Sequence, residues 1–68
     1  MKIIRVSKST TYYVETDNPD FPDYRTDETG THWENAMGDS WESVYGEERE
    51  LQGIFLDYMK HNKVEGND

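Results

Sequence analysis

Apolar residues recur at helical spacing in one part of the chain, from Asp39 to Asn62. On a wheel of about 100° per residue, Trp41, Val44, Tyr45, Leu51, Phe55, Tyr58 and Met59 share one broad face. Asp39, Glu42, Glu47, Glu50 and Asp57 fall opposite, with Gly53 among them. The spacing therefore predicts a helix over 39–62 whose outer surface is acidic. Asp39 followed three residues later by Glu42 fits a capping box, and Lys60, His61 and Lys63 at the far end suit the helix dipole. Two residues disturb the pattern. Gly46 costs about 1 kcal/mol relative to Ala in mid-helix, and Glu48 projects into the apolar face, where Lys8 is a candidate partner. One helix with an irregularity at Gly46 is expected, the other reading being a break that leaves a short helix before a longer one.

Upstream the period changes to two. Ile4, Val6, Thr10, Tyr12 and Val14 alternate with Arg5, Ser7, Ser9, Thr11, Tyr13 and Glu15, and Lys8 falls on the apolar side. Pattern and β-propensity together predict a strand over 2–16. Lys8 marks a bulge or bend; a tight hairpin at 7–9 has no Gly or Asn to support it. The run Asp17 to Asp23 contains two prolines, which lack the N–H a ladder needs, and reads as a loop. Tyr24–Thr26 and Thr31–Asn35 form a short hairpin around Gly30. The predicted architecture is α+β: a two- or three-stranded antiparallel sheet packed against one C-terminal helix, in the order β(ββ)α. One helix can cover only one face of that sheet. The other face, with Arg5, Ser7, Ser9, Thr11 and Tyr13, is expected to be wet or to be an interface. A single domain spans 1–62, and 63–68, lacking any periodicity, reads as a frayed tail.

Composition narrows the class. A chain of 68 residues is near the lower limit for one unstapled core, and with no cysteine it has neither disulfides nor thiolate zinc sites. The same absence makes a reducing cytoplasm the expected location, the host cell's if the protein is phage-encoded. No apolar run is long enough for a membrane span, and Arg5 interrupts the apolar start. Hydrophobic residues make up only 32%, but aromatics reach 13%, too many for a disordered acidic tail. The formal charge is −8. It is unevenly placed: +3 over residues 1–14, −10 over 15–50 and −1 over 51–68. Such a field repels nucleic acid and anionic membranes and draws in basic partners.

Chemistry-bearing motifs are absent. Asp17, Asp20 and Asp23 lack the alternate spacing of a calcium loop; His32 and His61 have no clustered co-ligands. Ser40 and Ser43 have no His-Asp arrangement, and no phosphate loop or nucleophile elbow occurs. No enzyme activity, metal or other cofactor is expected. The acidic helix face, continued by Asp20, Asp23, Asp27 and Glu28, is the candidate partner-binding surface, with Tyr24 as an aromatic anchor. Against the bland reading of a solvated face stands the excess: −10 within 36 residues repels itself and destabilises the compact state. Duplex DNA carries a charge about every 1.7 Å of axis, and carboxylates in a rigid array can occupy the same Lys/Arg groove. In size, charge and lack of catalytic chemistry the chain is similar in type to small acidic phage proteins, DNA mimics and anti-CRISPR proteins among them; no family motif is matched, and no residue role is carried over. The expected function is an inhibitor that occupies the basic groove of a nucleic-acid-handling protein, without contacting nucleic acid itself. The alternatives are a homo-oligomeric accessory protein, for instance a homodimer, with a solvated acidic surface, or an antitoxin-like partner of a basic toxin.

Overall fold

The computed structural model describes residues 1–66. It corrects the predicted sheet of two or three strands: six strands form one mixed sheet, and a single helix lies across one face. The strands are β1 (Ile3–Lys8), β2 (Tyr12–Thr16), β3 (Asp23–Thr26), β4 (Trp33–Met37), β5 (Ser40–Ser43) and β6 (Glu65–Gly66), with α1 (Glu48–His61) before β6. Their order across the sheet is β5-β4-β3-β2-β1-β6. The first five make an antiparallel meander; α1 then crosses back so that β6 pairs parallel with β1, Ser7 opposite Glu65 and Lys8 opposite Gly66.

The first half of the predicted helix is a strand. Met37 pairs with Ser40 across Gly38-Asp39, and Gly38 has φ 60°. Glycine at the first position of a two-residue turn suits the II′ hairpin, whose twist matches that of its strands. Asp39 therefore sits in a hairpin turn and Glu42 on an edge strand, and neither caps a helix. Trp41, Val44 and Tyr45 have helical spacing, but Ser40-Trp41-Glu42-Ser43 alternates equally well, and pairing with β4 decides the outcome. Trp41 faces away from the helix, and Tyr45 is 82% exposed. Gly46 has φ 91°, a left-handed turn that ends any helical path from the N-terminal side. The helix begins only after it, with Glu47 as N-cap residue and no side-chain capping bond. Glu48 is no intruder in the core: its carboxylate accepts the Gly46 N–H at 2.6 Å.

The N-terminal segment is two strands rather than one, joined by Ser9–Thr11, where the Ser9 N–H donates to the Thr11 carbonyl at 3.0 Å. Between Ile3, opposite Thr16, and Arg5, opposite Glu15, the register shifts by one residue. This bulge at Ile4 lets both Ile3 and Val6 face the helix, whereas strict alternation would have sent Ile4 inward. Ile4 is instead 55% exposed. In the segment expected to be a frayed tail, Val64 packs against the core and Glu65–Gly66 adds a strand. Residues 67–68 of that tail lie outside the described residues.

The core lies between α1 and the sheet. Leu51 and Phe55 meet Ile3, Val6, Val14, Tyr24 and Trp33, with Tyr12, Val44, Ile54, Tyr58, Met59 and Val64 packed around them. Phe55 is fully buried; its ring meets Trp33 edge-on at 5.6 Å and Tyr12 edge-on at 5.7 Å. Tyr24 continues the series against Trp33 at 6.0 Å. Edge-to-face pairs add about 0.5–1.5 kcal/mol each beyond the area they bury. Trp33 is tied down by its indole N–H, which donates to the Gly30 carbonyl at 2.6 Å. Gly30 itself has φ 71° and lies against the Phe55 ring, where a Cβ would come within 2.8 Å of Cδ2. Thr16 and Thr26, the two buried polar residues, bond the Pro22 and His32 carbonyls.

Truncating Phe55→Ala is expected to cost about 3–5 kcal/mol, comparable to the whole stability of a domain this small, so circular dichroism at 25 °C should report a largely unfolded chain. Gly30→Ala adds a left-handed strain and a clash with Phe55; chemical denaturation should show a loss of about 1–3 kcal/mol. An unchanged midpoint would mean that the turn and ring do not approach as described.

Candidate functional site

Topology sorts the acidic residues into two ends. Because β1, β3 and β5 run one way and β2 and β4 the other, the 17–22 loop and the Gly38-Asp39 turn leave the same end of the sheet. The 27–32 turn leaves the opposite end. The helix adds to the first group. With Leu51 and Phe55 directed inward, a rotation of about 100° per residue sets Glu47, Glu50, Ile54, Asp57 and His61 along one flank. Ile54, Asp57 and His61 line a hollow of about 560 Å³ together with Met1, Lys2 and Asp17, which fixes that flank on the side of the 17–22 loop. Glu47, on the same flank, is close enough to act on Tyr24, whose hydroxyl meets Asn18 of the 17–22 loop. Burial pushes the Tyr24 phenol above its ordinary range, its bond with Asn18 opposes the rise, and the Glu47 carboxylate adds to it.

Asp17, Asp20, Asp23, Asp39 and Asp57 thus share one end of the molecule, and Glu42 lies beside them on β5. Glu47 and Glu50 lie along the helix flank turned toward them, although α1 itself starts by the 27–32 turn, where the Gln52 amide donates to the Thr29 carbonyl at 3.0 Å. Glu42 pairs with Asn35, the residue paired in turn with Tyr24. The loop is held rigid by its own bonds. The Asn18 side chain accepts from the N–H groups of Asp20 and Phe21 at 2.9 and 3.3 Å, and Asp17 accepts the Lys2 N–H at 2.7 Å. The helix surface itself is less acidic than expected, since the exposed Arg49 and Lys60 lie on its outward side near Asp57.

Three residues of the expected partner surface lie elsewhere. Asp27 and Glu28 are at the opposite end. Asp27 is occupied in forming its turn: one carboxylate oxygen accepts from the Thr29 N–H, the Thr29 hydroxyl and the Thr31 N–H at 3.0, 2.7 and 3.1 Å. Tyr24 is no surface anchor, because its ring is buried against Trp33 and its hydroxyl accepts from Asn18 at 3.3 Å.

The sheet face not covered by α1 carries what the sequence reading left unassigned. Across it run two rows: Ser7, Tyr13, Arg25, Glu34 and Ser43, and beside them Arg5, Glu15, Asp23, Ala36 and Trp41. Arg5 bridges Glu15 at 3.0 Å, and Arg25 bridges Glu34 at 2.5 Å while its guanidinium lies 4.6 Å from the Trp41 ring centre. Tyr13 and Trp41 approach to 6.1 Å between centroids. Of the residues expected on this face, Arg5, Ser7 and Tyr13 are there; Ser9 and Thr11 belong to the turn. The missed signal was alternation in 40–43, which puts Trp41 on the same side as Arg25.

Among the described residues no three His, Asp or Glu side chains converge as a metal site would require, and no helix is long and apolar enough to cross a membrane. No family model, curated protein or solved structure matches the chain.

Asp27 offers a pH test of its structural role. Burial acts to raise its carboxyl, but bonds from the Thr29 hydroxyl and the N–H groups of Thr31, Thr29 and His32 outweigh it and hold it below its ordinary value of 3.8. A lowered folded value means stability that is present above 3.8 and lost as the pH falls through the lowered one. Compared by denaturant unfolding, Asp27→Asn is expected to be less stable than the parent by a constant amount at neutral pH. That gap should shrink on acidification below 3.8.

Proposed function

We propose that this chain is a small acidic binding protein whose carboxylate-rich end docks on a basic surface of another protein, the groove of a nucleic-acid-handling protein being the best match. The observation that carries this is the gathering of Asp17, Asp20, Asp23, Asp39 and Asp57 at one end of the sheet, with Glu42 on the edge strand and Glu47 and Glu50 on the helix flank turned toward them. A mostly solubilising charge would have no reason to be concentrated there, where it repels itself. Such an array suits a Lys/Arg groove as phosphates do, with the docking end made of two loops, a helix flank and an edge strand rather than of one helix. Binding would be steric and electrostatic, with no bond made or broken. The target's fast association and its sensitivity to salt follow from the same field.

A second reading has its own observation. β5 is an edge strand with a partner on one side only, and a second copy could extend the sheet there.

The deciding experiment is capture from nuclease-treated lysate on the tagged chain, eluted with a salt gradient, beside a variant carrying Glu42→Lys, Glu47→Lys and Glu50→Lys. The expected result is a nucleic-acid-binding protein retained without nucleic acid, released as salt rises and lost on the charge-reversed variant. Equal retention by the variant would refute the acidic-end reading. A mass that rises with concentration and ignores salt would favour association of copies.

A further inference from the structure

The open sheet face carries a hollow of about 230 Å³ lined by Arg5, Ser7, Tyr13, Glu15, Asp23, Ala36 and Trp41 among others. It is smaller than the roughly 300–1,000 Å³ of ordinary small-molecule sites, and so is of a size to receive one side chain. Two of its walls are aromatic, Tyr13 and Trp41, and its floor at Ala36 is a single methyl group in a row of large residues. The charges on this face decide what would enter. Arg5 with Glu15 and Arg25 with Glu34 cancel as ion pairs, which leaves Asp23, exposed at the lip and, among the described residues, without a cation bridged to it. Both guanidiniums are already engaged, so an incoming carboxylate finds no unpaired cation among the lining residues. A cation finds Asp23 and the rings of Tyr13 and Trp41.

The chain already exhibits the pairing it offers. Arg25 lies over Trp41 at 4.6 Å, so this indole already holds one guanidinium, and Arg25 is not itself among the residues that line the hollow. Aromatic rings attract cations through the negative face of their quadrupole, by about 0.5–1 kcal/mol when exposed and about 2 or more when desolvated. Asp23 also belongs to the carboxylate-rich end, which makes the hollow continuous with the surface proposed above. We infer that this hollow is a socket for an arginine or lysine side chain of the basic protein partner, seated between Trp41 and Tyr13 with its charge toward Asp23. The inference rests on the proposed function and deepens it: the acidic end attracts the basic surface, and the socket fixes its register.

The probe is N-acetyl-arginine amide, titrated into the isotopically labelled chain, with N-acetyl-citrulline amide as its uncharged isostere. Saturable shifts are expected at the Trp41 indole N–H, the Ala36 methyl and the Tyr13 ring with arginine, and not with citrulline. Asp23→Asn should weaken the arginine response about tenfold, a loss of roughly 1.4 kcal/mol, and Trp41→Leu should abolish it. Neither residue touches the Phe55 core, and an unchanged thermal midpoint checks that each variant is folded. Equal shifts with citrulline, shifts confined to Glu42, Glu47 and Glu50, shifts that track self-association on dilution, or no shift at these three groups would each overturn the socket. The two readings fail separately: if Glu42, Glu47 and Glu50 reversal abolishes protein capture while Trp41→Leu and Asp23→Asn leave it intact, the acidic end stands and the socket falls.

Discussion

The fold depends on one ring. Phe55 is the most deeply buried side chain of the helix, and beside the aliphatic groups of Ile3, Val6 and Val14 it meets the sheet through aromatic edges. A chain with so few aliphatic residues has little else with which to hold a fourteen-residue helix against six strands. Large rings bury more area per residue and, stacked edge to face, order one another. Gly30 completes the contact by having no side chain where the Phe55 ring must come. The turn it occupies is in turn set by Asp27, and the carbonyl of Gly30 fixes the Trp33 indole. A helix docked along one face, by Leu51 and Phe55 with Ile54, Tyr58 and Met59 around them, leaves its outer side free to carry charge.

That economy explains the two surfaces. With only one helix, only one face of the sheet can be covered, and the other must satisfy itself. It does so with cross-strand ion pairs and with Arg25 laid on Trp41, interactions that are individually weak at an exposed site but that keep large rings from lying bare. Charge of one sign is tolerated where chains turn and solvent is close. The 17–22 loop, the 38–39 turn and the helix flank meet at one such place, so the acidic character of the sequence becomes a property of one end of the molecule. An acidic end next to a face holding aromatic walls and one unpaired carboxylate is the arrangement from which both functional proposals grow.

The sequence by itself determined the local facts. Periodicity in 51–59 identified the inward side of the helix, because Leu51, Phe55, Tyr58 and Met59 can share a face only at that spacing. Alternation found the extended character of 4–7 and 12–15, the prolines marked the 17–22 loop, Gly30 marked its turn, and one-sided coverage of the sheet followed from there being a single helix. Tertiary structure decided whatever two local readings could equally satisfy. The stretch 40–45 has both helical and strand spacing, and the availability of β4 as a neighbour, reached through the Gly38 turn, selected the strand. The Ile4 bulge and the pairing of β6 depend on β2 and β1 across the sheet, contacts for which no single segment carries a signal. The candidate surface likewise arose only on folding, since Asp20, Asp39 and Asp57 share an end, and Tyr13, Asp23 and Trp41 a hollow, through pairings between residues distant in the chain. Local propensity is set by a residue's own backbone and near neighbours, whereas register and shared faces are set by the strand alongside, and that physical difference divides what could be read from what had to be folded.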